Sequence, residues 1–380
     1  MIVTCFTSTI PRRCLSSLEE EGVHGSGGNA KRNLILGTQR GILPQELRVF
    51  LASLRSTGCQ AEVVVFSAGK SGEGLEAVAK TFDASLVEYD YEELSRSHGP
   101  MNLHRFELFR FFLQEVRGGD HYDQVLLCDV RDVFFQQDPF TYLSVEDGIG
   151  VAVEPDHLLI GNCSIHARWL SNSCPVYQSE GILEKVESKR RSCAGTTIGT
   201  RAGILTYLET ILSEASRTVQ TLDDSASHNA HAWEGTVTTM DGKGGWRWWC
   251  NDQGMHNALL WMGMFGLPGG PNVTLHGAET SGLATVGTMH NIYINEVCAN
   301  DSKIFVSTAA LLMPFDTQMI EQDGELMTGC GGSLKGCDGG VVASLVHQYD
   351  RVKVLVDLVA GLYGSEGEVF ETFQERHGLE

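Results

Sequence analysis

The chain has 380 residues, of which 42% are hydrophobic and 20% charged, a composition typical of a globular protein with a sizeable core. Its formal net charge of −20 disfavours nucleic acid as a partner, because phosphate groups are bound by basic surfaces. It contains no apolar run of about 20 residues, so the sequence predicts no membrane span. A bound divalent cation and a few basic residues would still allow one cleft to bind a small anionic ligand.

The first elements along the chain form a βαβ pattern. Residues 1–31 lack a sustained hydrophobic period, and we predict a flexible N-terminal tail there. An apolar run at 33–38 is typical of a buried strand, apolar residues over 44–54 have helical spacing, and a β-rich run follows at 61–66. Strand, helix and strand at this spacing imply a parallel sheet.

The alternation continues and leads to an acidic residue at a strand end. We predict a helix over 74–82, a strand over 85–89, a helix over 103–116 and an apolar strand over 124–128 that stops at Asp129. In open parallel sheets the ligand crevice lies beyond the carboxyl ends of the strands. The expected fold class is therefore α/β, with a mostly parallel central sheet flanked by helices and a carboxylate at its ligand-binding edge.

The pattern changes after residue 140, where glycines and aromatic clusters such as 246–249 interrupt the clean alternation. We interpret this part as a mixed-sheet extension of the same domain, which spans 32–360, and predict a C-terminal tail over 361–380. Eleven cysteines occur without a CxxC pair, and we interpret them as buried reduced thiols. Cys330 and Cys337 are the only pair placed to close a short disulfide.

Asp129 and Asp132 are candidate metal ligands. Two carboxylates three residues apart on a turn can reach one cation, and their hard oxygens suit Mg²⁺ or Mn²⁺, which also bind diphosphate oxygens. The alternative is that Asp129 caps the turn and Asp132 is a solvated surface charge.

The surrounding sequence, 123–140, resembles the metal-site strand of GT-A nucleotide-diphospho-sugar transferases. In that family an apolar strand leads into an Asp-x-Asp motif, a few apolar residues and a turn similar to the Asp-Pro-Phe at 138–140. This chain departs from the pattern, because Arg131 occupies the place of the second Asp. Asp129 and Asp132 therefore share the metal across a one-residue bulge, or one ligates while the other orients.

Two further segments are similar to parts of the same family. The helix over 102–112 resembles one whose basic residue lies near the nucleotide, which makes Arg105 a candidate; a surface arginine is the alternative. Segment 193–199 resembles the Asn-Ala/Ser-Gly segment of the sugar site, with Cys193 in place of Asn; a tight loop before a helix at 204–212 is the alternative. The resemblance implies that the donor is contacted by Thr38, at the end of the first strand, and by Ala194, Gly195 and Thr196.

The segment 251–257 resembles the Asp-Gln-x-x-x-Asn element of glycogenin-like transferases. The resemblance implies chemistry at Asp252 with Gln253, since a carboxylate beside the donor sugar can act as a base or stabilise an oxocarbenium-like transition state. It also implies a donor contact for Asn257. The alternative for Asp252 is a helix N-cap. A late histidine completes the metal site in retaining relatives, and His347 is the candidate, with a structural histidine as the alternative.

Together these similarities imply a Rossmann-like GT-A fold with a nucleotide-binding half (32–148) and an acceptor-side half (149–360). The expected activity is transfer, with retention, from a UDP- or GDP-sugar to a glycan, protein or small-molecule acceptor, with Mn²⁺ or Mg²⁺ as cofactor. The family is often resident in the Golgi lumen, whereas a form without an anchor would be cytoplasmic.

Three other readings compete with this one. A haloacid-dehalogenase phosphatase is disfavoured, because its Asp-x-Asp nucleophile motif is interrupted by Arg131. A sugar-phosphate nucleotidyltransferase would need a Gly-rich basic loop after the first strand, and 37–41 is short for that. A degenerate carbohydrate-binding relative remains open, because both the acidic motif and Cys193 depart from the family pattern.

Overall fold

A computed structural model gives the fold of most of the chain. The structure describes residues 2–4, 32–116, 121–154, 158–222, 237–240, 246–266, 272–277, 283–285, 327–328, 341–342, 344–351 and 353–364. Within these ranges, no helix is long and apolar enough to cross a membrane. Cys330 and Cys337 lie outside the described residues, as does most of the predicted C-terminal tail.

The strands of the central sheet are β1 to β5, β7, β8 and β12, and the others belong to small sheets. Their bounds are Ile2–Thr4 (β1), Arg32–Gln39 (β2), Glu62–Ala68 (β3), Ser85–Tyr89 (β4), Tyr122–Asp129 (β5), Val133–Phe135 (β6), Ile149–Val153 (β7), Ser192–Thr200 (β8), Gln220–Leu222 (β9), Val237–Met240 (β10), Trp246–Trp249 (β11), Val273–Gly277 (β12), Leu283–Thr285 (β13), Met327–Thr328 (β14), Val341–Val342 (β15) and Leu345–His347 (β16).

The helices cover both faces of the sheet. Their bounds are Pro44–Ser56 (α1), Glu73–Thr81 (α2), Tyr91–His98 (α3), Met101–Phe111 (α4), Pro139–Tyr142 (α5), Ser164–Trp169 (α6), Pro175–Ser179 (α7), Ile182–Val186 (α8), Arg201–Thr218 (α9), Asp252–Trp261 (α10) and Lys353–Tyr363 (α11). A π-helical turn, Phe112–Val116, follows α4, and short 3₁₀ turns occur at Met264–Gly266 and Tyr349–Arg351.

The central sheet has eight strands in the order β1-β4-β3-β2-β5-β8-β7-β12. Every neighbouring pair is parallel except those of β8, which runs antiparallel to β5 and β7. The predicted α/β class with a mostly parallel sheet is confirmed, and its mixed part is the region around β8. The strand β1 adds an edge to the sheet within the segment predicted as a tail.

Helices on the two sides of the sheet bury alternate residues of the strands. On one side Leu34 and Leu36 of β2 pack in a cluster with Phe106 of α4 and Tyr207 of α9. On the other side Ile35 packs with residues of α1 and α2. Because helices cover both faces of the sheet, the core of β2 is a continuous apolar run and not an alternation of apolar and polar residues. The predicted βαβ units are confirmed, with boundaries that shift by only a few residues.

The interpretation of the cysteines as reduced thiols is wrong for three of them. Cys174, just before α7, forms a disulfide with Cys250, which follows β11, and Cys163 is also disulfide-bonded. The sequence could not reveal the first bond, because its cysteines are 76 residues apart and nothing in their spacing marks them as partners. Cys59, Cys128 and Cys193 are buried free thiols, as predicted.

Removal of the Cys174–Cys250 bond should destabilise the protein. In the chain-entropy account, a cross-link over a separation of 76 residues contributes about 4.5 kcal/mol by restricting the unfolded chain, and loss of a native disulfide typically costs about 2–5 kcal/mol. We expect Cys174→Ser/Cys250→Ser to lose about that much unfolding free energy in urea denaturation.

Cys59→Ser makes the same atomic change at a buried thiol outside a disulfide, and it should cost less per residue. A non-reducing peptide map should show the linked peptides. The assignment is contradicted if the map finds Cys174 and Cys250 free, or if the double variant is as stable as the wild type.

Candidate active site

Asp129 ends strand β5 at the carboxyl edge of the sheet, where its side chain is 35% exposed. Thr38 of β2 lies beside it in the sheet register and is buried. The chain then turns sharply through Val130. A Cβ atom on Gly37 would overlap the side chain of Val130, so a glycine in β2 is what lets this turn lie against the sheet.

The C-terminal strand β16 brings His347 to this turn. β16 pairs antiparallel with β6, which places His347 opposite Val133. The backbone N–H of Gln348 donates to the carbonyl of Asp132 at 2.7 Å, and that of Tyr349 donates to the same oxygen at 3.3 Å. Gln348 adopts a left-handed backbone conformation with φ of 63°. The segment is therefore anchored by its backbone directly to the acidic turn.

Asp129, Asp132 and His347 come together as one group. His347 Nε2 lies 3.3 Å from Asp129 Oδ2 and 3.6 Å from Asp132 Oδ1. Their candidate ligand atoms all lie within 4.8 Å of one another, and no other such group occurs in the part of the chain that the structure describes. Asp132 is 5% exposed, so the reading of this residue as a solvated surface charge is wrong.

Two observations show that the group suits a divalent cation. The Nε2 atom of His347 is buried, faces the two carboxylates and makes no hydrogen bond of regular geometry. Gly195 of β8 leaves room beside it, because a Cβ atom there would overlap Asp129 Oδ2 and lie 2.5 Å from His347 Cε1. Carboxylate oxygens with one imidazole are a donor set that first-row divalent metals accept.

Electrostatics in the group depend on burial and opposite charges. Burial would raise the pKa of Asp129, but Arg105 and His347 outweigh it and hold that pKa below its ordinary value. Burial would lower the pKa of His347, but Cys193, Asp129 and Asp132 raise it well above its ordinary value. A divalent cation bound to this group would compete with a proton on His347.

Arg105 joins this group to a second carboxylate. It is only 8% exposed, so the alternative of a surface arginine is wrong. Its Nη1 donates to Asp129, while Nη2 donates to Asp252 Oδ2 at 2.8 Å and to the carbonyl of Ala194 at 3.3 Å. Burial would lower the pKa of Arg105, but the two carboxylates raise it, so the guanidinium stays charged.

Asp252 is the first residue of helix α10, and the alternative of an N-cap is wrong. The cap is Asn251, whose side-chain oxygen accepts from the N–H of Gly254 at 3.2 Å. The side chain of Asp252 is free to point at Arg105, and its Oδ1 accepts from Asn102 at 2.8 Å. Burial raises the pKa of Asp252, and Arg105 and Asn102 partly oppose that rise.

The other predicted residues of α10 bind the backbone of β8. Gln253 Oε1 accepts from the N–H of Ala194 at 2.9 Å. The Asn257 amide accepts from the N–H of Ser192 and donates to its carbonyl, both at 2.9 Å. Their amides thus position the strand, and a donor contact for Gln253 or Asn257 stays a prediction. His256, which the sequence analysis missed, adds a hydrogen bond to Ser192 Oγ at 2.8 Å.

Segment 193–199 is part of strand β8 rather than a loop, so the alternative of a tight loop is wrong. Ala194, Gly195 and Thr196 are all buried there. Gly195 faces Asp129 and His347, the Ala194 carbonyl faces Arg105, and Thr196 lies opposite Cys128 in the register. The sequence analysis also missed Asn102 as a partner of Asp252, since nothing in the sequence relates two positions so far apart.

Comparison with known proteins adds a structural similarity. The sequence matches no protein-family model, and no curated protein matches it. A crystal structure of the galactosyltransferase LgtC in complex with donor and acceptor sugar analogues is 12% identical, with a TM-score of 0.42 over 88% of this chain and 98% of that chain. An active-site mutant of LgtC is 10% identical, with a TM-score of 0.44 and the same coverage. Similarity at this level identifies neither substrate nor reaction.

The ion pairs of Arg105 should contribute strongly to stability. Arg105→Met leaves Asp252 buried without its cation, and an uncompensated buried charge costs about 3–5 kcal/mol. We expect a loss of that size in urea denaturation with EDTA present. Because Asp252→Asn removes the unpaired charge, the double variant should lose less than the sum of the two single losses.

Arg110→Met is the matched control on the same helix. Arg110 pairs with Glu107 one turn away and is partly exposed, so its loss should cost only about 0.2–1 kcal/mol. Equal losses for Arg105→Met and Arg110→Met would contradict the assigned role of Arg105, and so would strict additivity with Asp252→Asn.

His104, which precedes Arg105, ties α4 to β4. Its Nε2 accepts from the Tyr89 hydroxyl at 3.0 Å, and its Nδ1 donates to the Gly99 carbonyl at 2.9 Å. This arrangement uses a neutral imidazole with its proton on Nδ1. Burial lowers the pKa of His104 from 6.5 to about 4, and nearby cationic groups add to the effect.

Stability should therefore fall in mild acid. Since the unfolded chain binds the proton more tightly, the contribution of His104 is complete above about pH 6.5 and is lost as the pH falls towards 4. We expect about 2 kcal/mol of the difference in unfolding free energy between pH 8 and pH 5 to disappear in His104→Gln. His121→Gln, at an exposed position, should leave that difference unchanged. An unaltered pH dependence in His104→Gln would contradict the assignment.

Proposed function

We propose that this protein is a metal-dependent glycosyltransferase that moves a sugar, with retention, from a nucleotide-sugar to an acceptor. One observation carries the proposal: two carboxylates and a histidine meet at the carboxyl edge of the sheet, and Arg105 joins them to Asp252. The sequence around each of these residues resembles a GT-A transferase, and the folded chain brings the separate segments into contact. The resemblance and the geometry thus support the same reading.

In this proposal Asp129, Asp132 and His347 hold Mn²⁺ or Mg²⁺. A cation held by these residues would supply stabilisation for the negative charge of the departing nucleoside diphosphate. Gly195 supports the assignment, because its missing side chain leaves the space beside Asp129 and His347 clear. Both D-x-x-D carboxylates take part, which corresponds to the shared arrangement rather than to one ligand and one orienting residue.

The remaining roles belong to residues around Arg105. Arg105 stays cationic and keeps Asp252 oriented toward the metal group. The Asp252 carboxylate is suited to stabilise an oxocarbenium-like sugar or to accept a proton from an acceptor hydroxyl. Thr38 and the segment Ala194, Gly195 and Thr196 are the proposed donor contacts. The proposed donor is a UDP- or GDP-sugar, and the acceptor a glycan, protein or small molecule.

The disulfides favour one of the two compartments. Disulfides form and persist mainly in oxidising compartments, and the described chain has bonded cysteines at 163, 174 and 250. This supports the secretory lumen over the cytoplasm as the place where the protein folds.

A catalytically degenerate carbohydrate-binding protein is the second candidate. Its support is the departure from the family pattern at Arg131 and Cys193, together with the ion pairs that already occupy Asp129 and Asp252. This candidate predicts that sugars or nucleotides bind without any turnover.

The proposal is tested by the release of nucleoside diphosphate from a panel of UDP- and GDP-sugars with Mn²⁺. We expect release with at least one donor, and its loss when EDTA is added. Asp132→Ala and Asp252→Ala should each lower the rate by about 100-fold or more, because each removes charge stabilisation at the reacting groups.

Gly195→Ala and Gly72→Ala form a matched pair of controls. A Cβ atom at Gly195 overlaps the metal group, whereas nothing lies within 4 Å of one at Gly72. Only Gly195→Ala should lose activity. Donor binding without release of nucleoside diphosphate would favour the degenerate carbohydrate-binding protein. A protein that neither binds nor cleaves any donor would overturn the proposal. Release that survives Asp129→Ala and Asp132→Ala would exclude the metal assignment.

A further inference from the structure

A buried thiol lies against the back of the candidate metal ligand. Cys193 Sγ is 3.3 Å from His347 Nδ1, the ring nitrogen on the other side from the carboxylates. Cys193 is 6% exposed and His347 1%, so the contact is sealed from solvent. Cys193 occupies the position of the Asn in the segment that 193–199 resembles.

The hydrogen bonds around the sulfur define its role. The N–H of Gly195 points at Cys193 Sγ at 3.4 Å, so the sulfur accepts from the backbone. A neutral His347 ring whose Nδ1–H donates to this sulfur, as a cation bound on the opposite side would require, has Nε2 as its unprotonated nitrogen. That nitrogen faces Asp129 and Asp132, where a cation would bind. A neutral imidazole ligates through one nitrogen and is oriented by what the other nitrogen contacts.

We propose that Cys193 is a positioning residue of the metal centre, which fixes the tautomer and ring orientation of His347. This inference rests on the proposed function, since it presumes that the Asp129–Asp132–His347 group binds a cation. The sulfur is not itself a ligand, because it contacts the ring on the Nδ1 side and is not among the atoms grouped within 4.8 Å. Residues that hydrogen-bond the second nitrogen of a metal-bound histidine typically contribute about 10–100-fold to metal affinity.

The placement of Cys193 follows from the strand that carries it. In β8 the register shifts between Val151 and Ala152 of the neighbouring strand β7, and Cys193 pairs with Ala152 just beyond this irregularity. Gln253, from α10, binds the backbone on both sides of Cys193, at Ser192 and Ala194. The thiol is thus held by the same contacts that position β8 beside the carboxylates.

The experiment measures metal binding on the full-length protein rather than activity. Mn²⁺ affinity is obtained from the electron paramagnetic resonance signal of the free ion for wild type, Cys193→Ala and Cys193→Ser. We expect Cys193→Ala to weaken Mn²⁺ binding by about 10–100-fold. Cys193→Ser keeps an acceptor for Nδ1–H and should recover most of the affinity, which a purely packing role would not predict.

Cys128→Ala is the matched control. Cys128 is also a buried free thiol next to the acidic motif, but it lies on β5, and among the described residues the thiol hydrogen-bonded to His347 is that of Cys193. It should bind Mn²⁺ as the wild type does. Urea denaturation in EDTA gives the packing cost of each variant separately, and Cys193→Ser answers the question if Cys193→Ala does not fold.

Co²⁺ in place of Mn²⁺ separates a positioning thiol from a ligating one. The wild-type Co²⁺ protein should lack a thiolate-to-metal charge-transfer band; a band that disappears in Cys193→Ala would overturn the inference by making the sulfur a ligand. Equal Mn²⁺ affinities for wild type, Cys193→Ala and Cys128→Ala would overturn the positioning role of Cys193 and leave the metal centre itself standing. A wild-type protein that binds neither ion would overturn the metal centre of the proposed function with it.

Discussion

The site depends on one buried cation, the guanidinium of Arg105. It lies between Asp129, at the end of a central strand, and Asp252, at the start of a helix. Each carboxylate alone would be costly to bury, because burial disfavours its charged form. Their shared contact with one guanidinium holds the pKa of Asp129 below its ordinary value and partly opposes the rise in the pKa of Asp252 that burial causes. The interaction therefore fixes α4, β5 and α10 relative to one another at the edge of the sheet.

Helix α10 is held in that position by contacts that are independent of Arg105. One turn of its inner face, from Gln253 to Asn257, satisfies the backbone of β8 at Ser192 and Ala194. The disulfide at Cys250 fixes the chain two residues before the helix begins. Polar groups buried in this way must be fully hydrogen-bonded, and a satisfied network permits only one arrangement. The position of Asp252 follows from it.

The sequence predicted those parts of the molecule whose signal is local. Hydrophobic periodicity located β2 to β5 and the helices α1, α2 and α4, though not α3, and the abrupt end of an apolar run at Asp129 marked the carboxyl edge of the sheet. The nature of β8 was missed, because Cys193 to Gly199 consists of small residues that carry no alternation. The Cys174–Cys250 bond and the Asn102–Asp252 hydrogen bond were missed for another reason. They join positions remote in sequence, and only the folded topology relates them.

His347 reaches the acidic turn only through strand β16, whose partner β6 is far earlier in the chain. Contacts between such distant positions form late, because the entropy of closing the intervening loop must be met first. During synthesis the sheet around Asp129 and Asp132 can therefore assemble while their third partner has not yet been made. Until β16 arrives, the two acids lack the imidazole that lies between them in the complete fold. The acidic turn therefore gains its histidine only when this C-terminal strand has docked onto β6.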